Sequence, residues 1–294
     1  VGTNSIGQGD TRAAGLKALL DQGGTITMAR RFVTWPGEAN VEVNLICVRK
    51  GPAPGPVLLD GRPVPSISSR LDDLPEAEPA RLSHNEGKAF QGDIIRGIGF
   101  VLQPEVAERL LAEDPKNAQC IFPYLNGEDL NSDPEQRPSR YVICFHDWPL
   151  EKAKEFPALL RIVENRVRPE RMKVKQKLDR EKWWRFSAYR KELREAVAPL
   201  SRVMARSRVS ELHAVIFVPK GMVYNEQTVV FAFDDDYHFA LLQSNVHEQW
   251  IRREASTMRT DVRYTPTDCF QTFPFPQQPE RDAVGEAARI GAAY

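Results

Sequence analysis

The sequence predicts a mixed α/β protein of α+β organisation, and three observations carry that prediction. Runs with a two-residue period or dense β-branched residues, such as Val41 to Val48, alternate with stretches whose apolar residues recur every three to four positions, such as Phe239 to Trp250. Glycine and proline punctuate most junctions between them. No internal repeat or low-complexity tract interrupts the pattern. With 294 residues, 41% hydrophobic and 27% charged, the chain is long enough for a sizeable core and for about two domains.

In chain order, "VGTNSI" is strand-like, and "GQGDTRAAGLKALLDQGG" reads as a Gly-bounded helix capped by Asp10. "TITMARRFVTW" and "VEVNLICVRK" are strands joined by "PGEAN"; Val41, Val43, Leu45 and Cys47 alternate with polar residues before the strand turns fully apolar. "KGPAPGP" is a Pro/Gly linker and the expected first boundary. Asp60-Gly61 between short apolar runs predicts a hairpin, and the acidic "RLDDLPEAEPARL" a loop or short helix. "FQGDIIRGIGFVL" holds three glycines, which predicts bulges or close backbone approach. "QPEVAERLLAED" reads as a helix, "SRYVICFHD" as a strand, and "PLEKAKEFPALLRIVENRV" as helical with a kink at Pro157. Arg180 to Leu200 follows as a helix with Phe186, Tyr189, Leu193, Val197 and Leu200 on one face, Trp183 at its edge and Trp184 nearly opposite. "LHAVIFVP" and "TVVFAFDDD" are strands. Phe239, Leu242, Val246 and Trp250 mark a helix, and Pro266, Pro274 and Pro276 keep the tail from forming a regular one.

Forty Lys and Arg balance forty Asp and Glu, so whole-chain charge predicts no polyanion partner. Its distribution is more informative. From Arg161 to Arg208 sixteen Lys and Arg meet six acids, a local excess of ten. The four cysteines are far apart with no Cys-x-x-Cys, which argues against a zinc ribbon or thioredoxin motif and for free thiols in a reducing cytoplasm. No apolar stretch approaches a membrane span and no signal peptide is present. The start at Val1 suggests a fragment of a longer protein.

Three patterns touch on metal chemistry. His247-Glu248 begins a His-Glu-x-x-His zinc motif, but the fifth position is Ile251. Asp234, Asp235 and Asp236 lack the Gly-spaced calcium loop and read as a turn. Asp73, Glu86 and Lys88 resemble the Asp…Glu-x-Lys set of metal-dependent nucleases, in which carboxylates hold Mg²⁺ and the lysine orients water, although "DLPEAEPARL" between them is a poor strand. No metal site is expected. No nucleophile elbow or P-loop is visible.

The basic segments make a stronger case. "RVRPERMKVKQKLDREKWWRF" interleaves cations with aromatics, as phosphate neutralisation and base stacking require, with a solvated helix face as the alternative. "WIRREASTMRTDVRY" adds Arg252, Arg253, Arg259 and Arg263 to Ser256 and Thr257 in what reads as a loop after a helix. Arg suits guanine, and Ser or Thr suits phosphate.

The order of "TNSIGQG", "RRFVTWPGEANVEVNLI", "FQGDIIRGIGF", "PYLNGEDLN", "SRYVICFHD", "WWRFSAYRKELR", "LLQSNVHEQW" and "RYTPTDCFQTFPFP" resembles the C-terminal part of single-chain type IIG/IIL restriction–modification enzymes, in which an adenine-N6 DNA methyltransferase is fused to its own target recognition domain. The resemblance spans nearly the whole chain. It implies that residues 1–52 are the C-terminal strands of a Rossmann-like methyltransferase sheet, 57–276 a mixed α+β target recognition domain, and 277–294 a C-terminal helical tail. No Asn-Pro-Pro or Asp-Pro-Pro occurs, so the segment is not expected to methylate by itself. S-adenosylmethionine would belong to the intact protein, and Mg²⁺ only to an upstream nuclease. Double-stranded DNA and an upstream methyltransferase domain are the implied partners, in the cytoplasm, with no membrane. Phe32 and Trp35 stand where family members wall the pocket of the extruded base; core positions at a strand end are the alternative. Ser256, Thr257, Arg259 and Arg263 are the expected base readers. Arg180, Trp184, Lys191 and Arg194 are the expected backbone contacts, with Trp184 alternatively docking on the catalytic domain. Gly92, Gly97 and Gly99 would let backbone approach phosphate, or form a tight turn. The rival readings are the nuclease above and a non-catalytic protein docking its basic face on an acidic partner.

Overall fold

The computed structural model describes residues 1–36, 41–258, 261–276 and 280–294. The alternating residues of Gly24–Thr34 and Glu42–Lys50 form an antiparallel pair, flanked on one side by Gly2–Thr3 and on the other by Val57–Leu59, which runs parallel. Arg62–Val64 closes this five-stranded sheet through the Asp60-Gly61 turn, whose φ angles of 50° and 80° are those of a type I′ hairpin. Helical residues Gly9–Asp21, with a π-turn at Ala13–Lys17, lay Leu16 onto Ile26, Ala29, Leu59, Ile67 and Leu71. Asp10 lies in the first turn rather than at the cap, which Gln8 occupies.

Chain contacts group residues 1–81 with 249–264 as one unit, and 82–248 with 265–294 as a second. The linker at 51–56 therefore does not end the first unit, because Val57–Leu59 pairs back onto Gly24–Thr34. The acidic stretch after it forms neither helix nor strand. Its Glu76 and Glu78 hold the buried Arg12 at 3.4 and 2.5 Å, and Arg70 pairs with Glu254 at 2.7 Å.

The second unit holds two four-stranded sheets. One, in the order Ile216–Pro219, Arg202–Ser207, Thr228–Phe231, Ala89–Gln91, is antiparallel throughout. The other runs Val223–Tyr224, Ile121–Leu125, Arg140–Ile143, Val101–Leu102, with its first pair parallel. Helix Pro104–Glu113 starts on a proline whose missing N–H costs nothing there. Pro157 likewise separates Leu150–Ala153 from Pro157–Arg166. These helices cover a core of Phe100, Leu110, Val142, Phe145, Phe156 and Leu159.

The Phe-Pro-Phe-Pro tail is core as well. Phe270, Phe273 and Phe275 are buried, and the Asn85 amide donates to the carbonyls of Phe270 and Phe273. Helix Arg281–Ala293 packs on Asp236–Gln243, so closely that a Cβ on Gly291 would lie 2.2 Å from the Asp236 carbonyl oxygen.

The helix expected through Phe239, Leu242, Val246 and Trp250 breaks at Ser244. The break leaves Val246 exposed and buries His247 completely. His247 Nδ1 and His213 Nε2 both donate to the Leu242 carbonyl, and His213 Nδ1 accepts from Arg206. Burial, with some help from the Arg206 charge, pushes the His247 pKa down to about 3. The unfolded chain takes up this proton near pH 6.5, whereas the folded protein does not until about pH 3. Stability should therefore fall by about 1.4 kcal/mol per pH unit below 6.5 from this group alone. Urea midpoints at pH 7 and pH 5 check it, with a flatter dependence expected for His247→Asn.

Candidate nucleic-acid interface

The expected helix from Arg180 to Leu200 is not continuous. Lys177–Glu181 and Lys191–Val197 are helical, and turns separate them. The reason lies in three aromatics. On one straight helix Trp184 would point away from Phe186, whereas breaking the helix lets Trp183, Trp184 and Phe186 all enter the core. Trp184 Nε1–H is satisfied by the Trp148 carbonyl at 3.0 Å. Trp184 is therefore a core residue and stacks on no base.

The break also exposes the polar residues between the helices. Lys182, Arg185, Ser187, Tyr189 and Lys191 line a cleft of about 210 Å³ with Asp147 and Asp179. Asp179 is already neutralised: Arg171 lies at 2.8 Å, Arg96 at 3.3 Å, and the Ser187 hydroxyl donates to it at 3.1 Å. Lys182 and Lys191 are exposed and Arg185 is half-buried, so the cleft presents three cations against the Asp147 carboxylate, while the Ser187 and Tyr189 hydroxyls are engaged with Asp179 and His146. Lys191 is held only by a long surface pairing with Glu195 at 3.6 Å.

Two other expected backbone contacts are committed elsewhere. Arg194 grips the fully buried Asp93 with both terminal nitrogens, at 3.0 and 2.7 Å. Burial by itself lowers the Arg194 pKa, but the hydrogen bonds and charge of Asp93 outweigh it and hold it above the usual arginine value. Arg180 donates to the carbonyls of Val174 and Lys175 at 2.7 and 2.9 Å. It closes the chain before the helix rather than facing outward as a phosphate ligand.

The glycine-rich stretch is likewise turned onto the protein itself. A Cβ on Gly92 would lie 2.1 Å from the Asn225 carbonyl oxygen, and one on Gly99 would lie 2.7 Å from Val167.

Sequence reading missed a second polar patch in this unit. Asn225, Glu226 and Gln227 join Val223–Tyr224 to Thr228–Phe231. Gln227 accepts from the Arg208 amide through its carbonyl at 2.7 Å, and Asn131 donates to Ser207 at 3.3 Å beside it. The Asn225 amide bonds the Tyr124 hydroxyl. Asn126 Nδ2 and Glu226 Oε2 are buried atoms with no hydrogen-bond partner. Amides and a carboxylate are also side chains that read base edges. The signal available in sequence was "YNEQT", four polar residues joining two buried strands that belong to different sheets.

The remaining expected residues belong to the first unit. Ser256–Met258 pairs with Asp261–Arg263 as a hairpin rather than a loop, with Ser256 opposite Arg263. Thr257 donates to the Gln8 side chain through its amide and its hydroxyl at 2.8 and 2.9 Å. Arg259 lies outside the described residues. Phe32 is 57% exposed and Trp35 42%, so neither is core. Phe32 has φ 53° at a bulge, and its amide donates to Asn44.

Among the described residues no group of three or more His, Cys, Asp or Glu side chains could hold a metal ion. Asp73 falls in the first unit, whereas Glu86 and Lys88 fall in the second. Asp235 caps a helix and Asp236 pairs with Arg202.

The mixed α+β fold matches the solved structure of the type IIL restriction–modification enzyme MmeI in complex with DNA, with TM-score 0.80 and 17% identity over 99% of this chain and 40% of that one. That likeness shows a shared fold, and a family-model match makes the chain a target recognition segment of the type II restriction–modification class. More narrowly, it belongs to the MmeI target recognition domain family, which matches residues 84–277. The chain spans about 40% of the length of the solved enzyme. The type IIG restriction endonuclease BpuSI aligns at 13% identity over 70% of this chain and 25% of its own, with TM-score 0.34. No curated protein matches. No described helix is long and apolar enough to cross a membrane.

Proposed function

We propose that this chain reads a short double-stranded DNA sequence for an adenine-N6 methyltransferase of the type II restriction–modification class. The observation that carries the reading is the MmeI target recognition family match over 84–277, which encloses both the cationic cleft and the amide–acid patch. Lys182, Arg185 and Lys191 take backbone phosphates, while Glu226, Gln227 and Arg208 face base edges. Arg263 and Ser256, from the first unit, remain candidate contacts, and Arg259 keeps its place as a candidate reader.

Phe32 and Trp35, exposed on the long hairpin, are suited to wall an extruded adenine. Methyl transfer from S-adenosylmethionine belongs to the intact protein. No residue here is assigned to that cofactor or to Mg²⁺, since the chain has no Asn-Pro-Pro or Asp-Pro-Pro motif. The cytoplasm suits the four free thiols.

Selection of bound duplexes from a random library, repeated with Glu226→Ala and Gln227→Ala, tests the reading. Each substitution should cost roughly 1–3 kcal/mol at one base position, relax the preference there and leave the salt slope unchanged. Equal losses on selected and random duplexes would remove the patch from the reading role. An absence of duplex binding would favour docking on an acidic protein.

A further inference from the structure

Ile98 stands out on the second unit's surface. It is 79% exposed, while Ile95, Gly99 and Phe100 around it are buried. A loose loop would not produce that contrast, and this one is fixed at both ends. Ile94 exchanges two backbone hydrogen bonds with Ala188, at 3.0 and 3.1 Å. The buried Arg171 donates to the Ile95 carbonyl at 2.7 Å. On the other side Gly99 sits against Val167 with no room for a Cβ. Between these anchors Arg96 has φ 47° and Gly97 φ 98°. A left-handed arginine is a strained choice, and such strain gathers at functional sites. Here it lifts an isoleucine into solvent.

The surroundings say what it meets. Ala188, the backbone partner of Ile94 four residues before Ile98, lies between Ser187 and Tyr189 of the cationic cleft, and Arg96 is paired with Asp179 of the same cleft. On the far side Ile98 borders a second cleft of about 490 Å³ with Arg140 and Arg166, where Glu170 is the one carboxylate. An apolar tip that borders a cleft with two arginines and is tied through Ile94 and Arg96 to a second cationic cleft is complementary to a polyanion whose interior is apolar, as a base stack between two phosphate rows is. Proteins that hold DNA this way insert an isoleucine, leucine or phenylalanine between base steps, and the neighbouring cations take the flanking phosphates.

We propose that Ile98 is a wedge that enters the base stack of the duplex bound at the Lys182–Lys191 cleft, partly unstacking one step. The proposal rests on the DNA-reading function above. The test uses the whole chain and duplexes carrying 2-aminopurine at successive positions of the selected site. Wild type should raise the fluorescence of one step on binding. Ile98→Ala, which removes only exposed atoms, should lose that rise and bind about tenfold more weakly, with an unchanged salt slope because no cation is removed. A single mismatch at the affected step, which removes much of the unstacking cost, should recover most of the deficit. If Ile98→Ala unstacks and binds like wild type while Lys182/Arg185/Lys191→Ala still flattens the salt slope, the wedge is wrong and the reading stands. If wild type binds no duplex, both fall. Binding without any fluorescence rise at any position also overturns the wedge alone.

Discussion

Asp93→Ala is expected to lower the stability of the second unit by about 3–5 kcal/mol, the cost of leaving a buried charge without its partner. Asp93 is fully buried and accepts three hydrogen bonds, two from Arg194 and one from the Arg190 amide at 2.7 Å. Its own amide donates to the Tyr224 carbonyl at 2.7 Å, tying the chain after Ala89–Gln91 in one sheet to Val223–Tyr224 in the other. Losing the carboxylate strands the Arg194 guanidinium between the two sheets. Removing both partners, as in Asp93→Leu/Arg194→Met, should recover most of the loss, because the cost lies in the unpaired charge and not in the absence of the pair. Urea unfolding followed by tryptophan fluorescence measures both, since Trp148, Trp183 and Trp184 lie in this unit. A single substitution costing less than about 1 kcal/mol would mean that Arg194 finds water or another acceptor.

Replacing Lys182, Arg185 and Lys191 together by alanine is expected to weaken duplex binding by about 100-fold at about 0.15 M salt, the contribution of roughly three neutralised phosphates. The three side chains are exposed or half-buried and their ion pairing within the chain is slight, so stability should hardly change. That separates the triple variant from Asp93→Ala, which should lose folding and binding together. Selected and random duplexes should be weakened alike, because phosphates carry no sequence information.

Much of the fold was legible because local rules and tertiary packing agree. The Asp60-Gly61 hairpin, the proline-initiated helices and the paired strands 24–34 and 42–50 are each written within a dozen residues or so. The Arg180–Leu200 segment was not. Its periodicity fits a helix well, but a periodic count cannot weigh the burial of Trp184 against a few helical hydrogen bonds. Part of the cationic promise of the wider stretch from Arg161 to Arg208 disappeared for a related reason. Arg194, Arg171 and Arg180 are spent on Asp93, Asp179 and backbone carbonyls, partners that for Asp93 lie about a hundred positions away. The amide–acid patch was legible only at 225–227, because Asn126, Asn131 and Arg208 join it from separate elements. The exposure of Lys191 was legible from charge alone, since an exposed cation needs no long-range partner to be placed.

In the proposed complex the cleft between Lys182 and Lys191 holds the DNA backbone. The dependence of log Kobs on log salt, measured for wild type and for the Lys182/Arg185/Lys191→Ala variant on the selected duplex, tests it most directly. The cleft predicts a slope shallower by nearly three in the variant, at about 0.9 for each phosphate no longer neutralised. Equal slopes for the two proteins, with the variant folded as wild type, would contradict it.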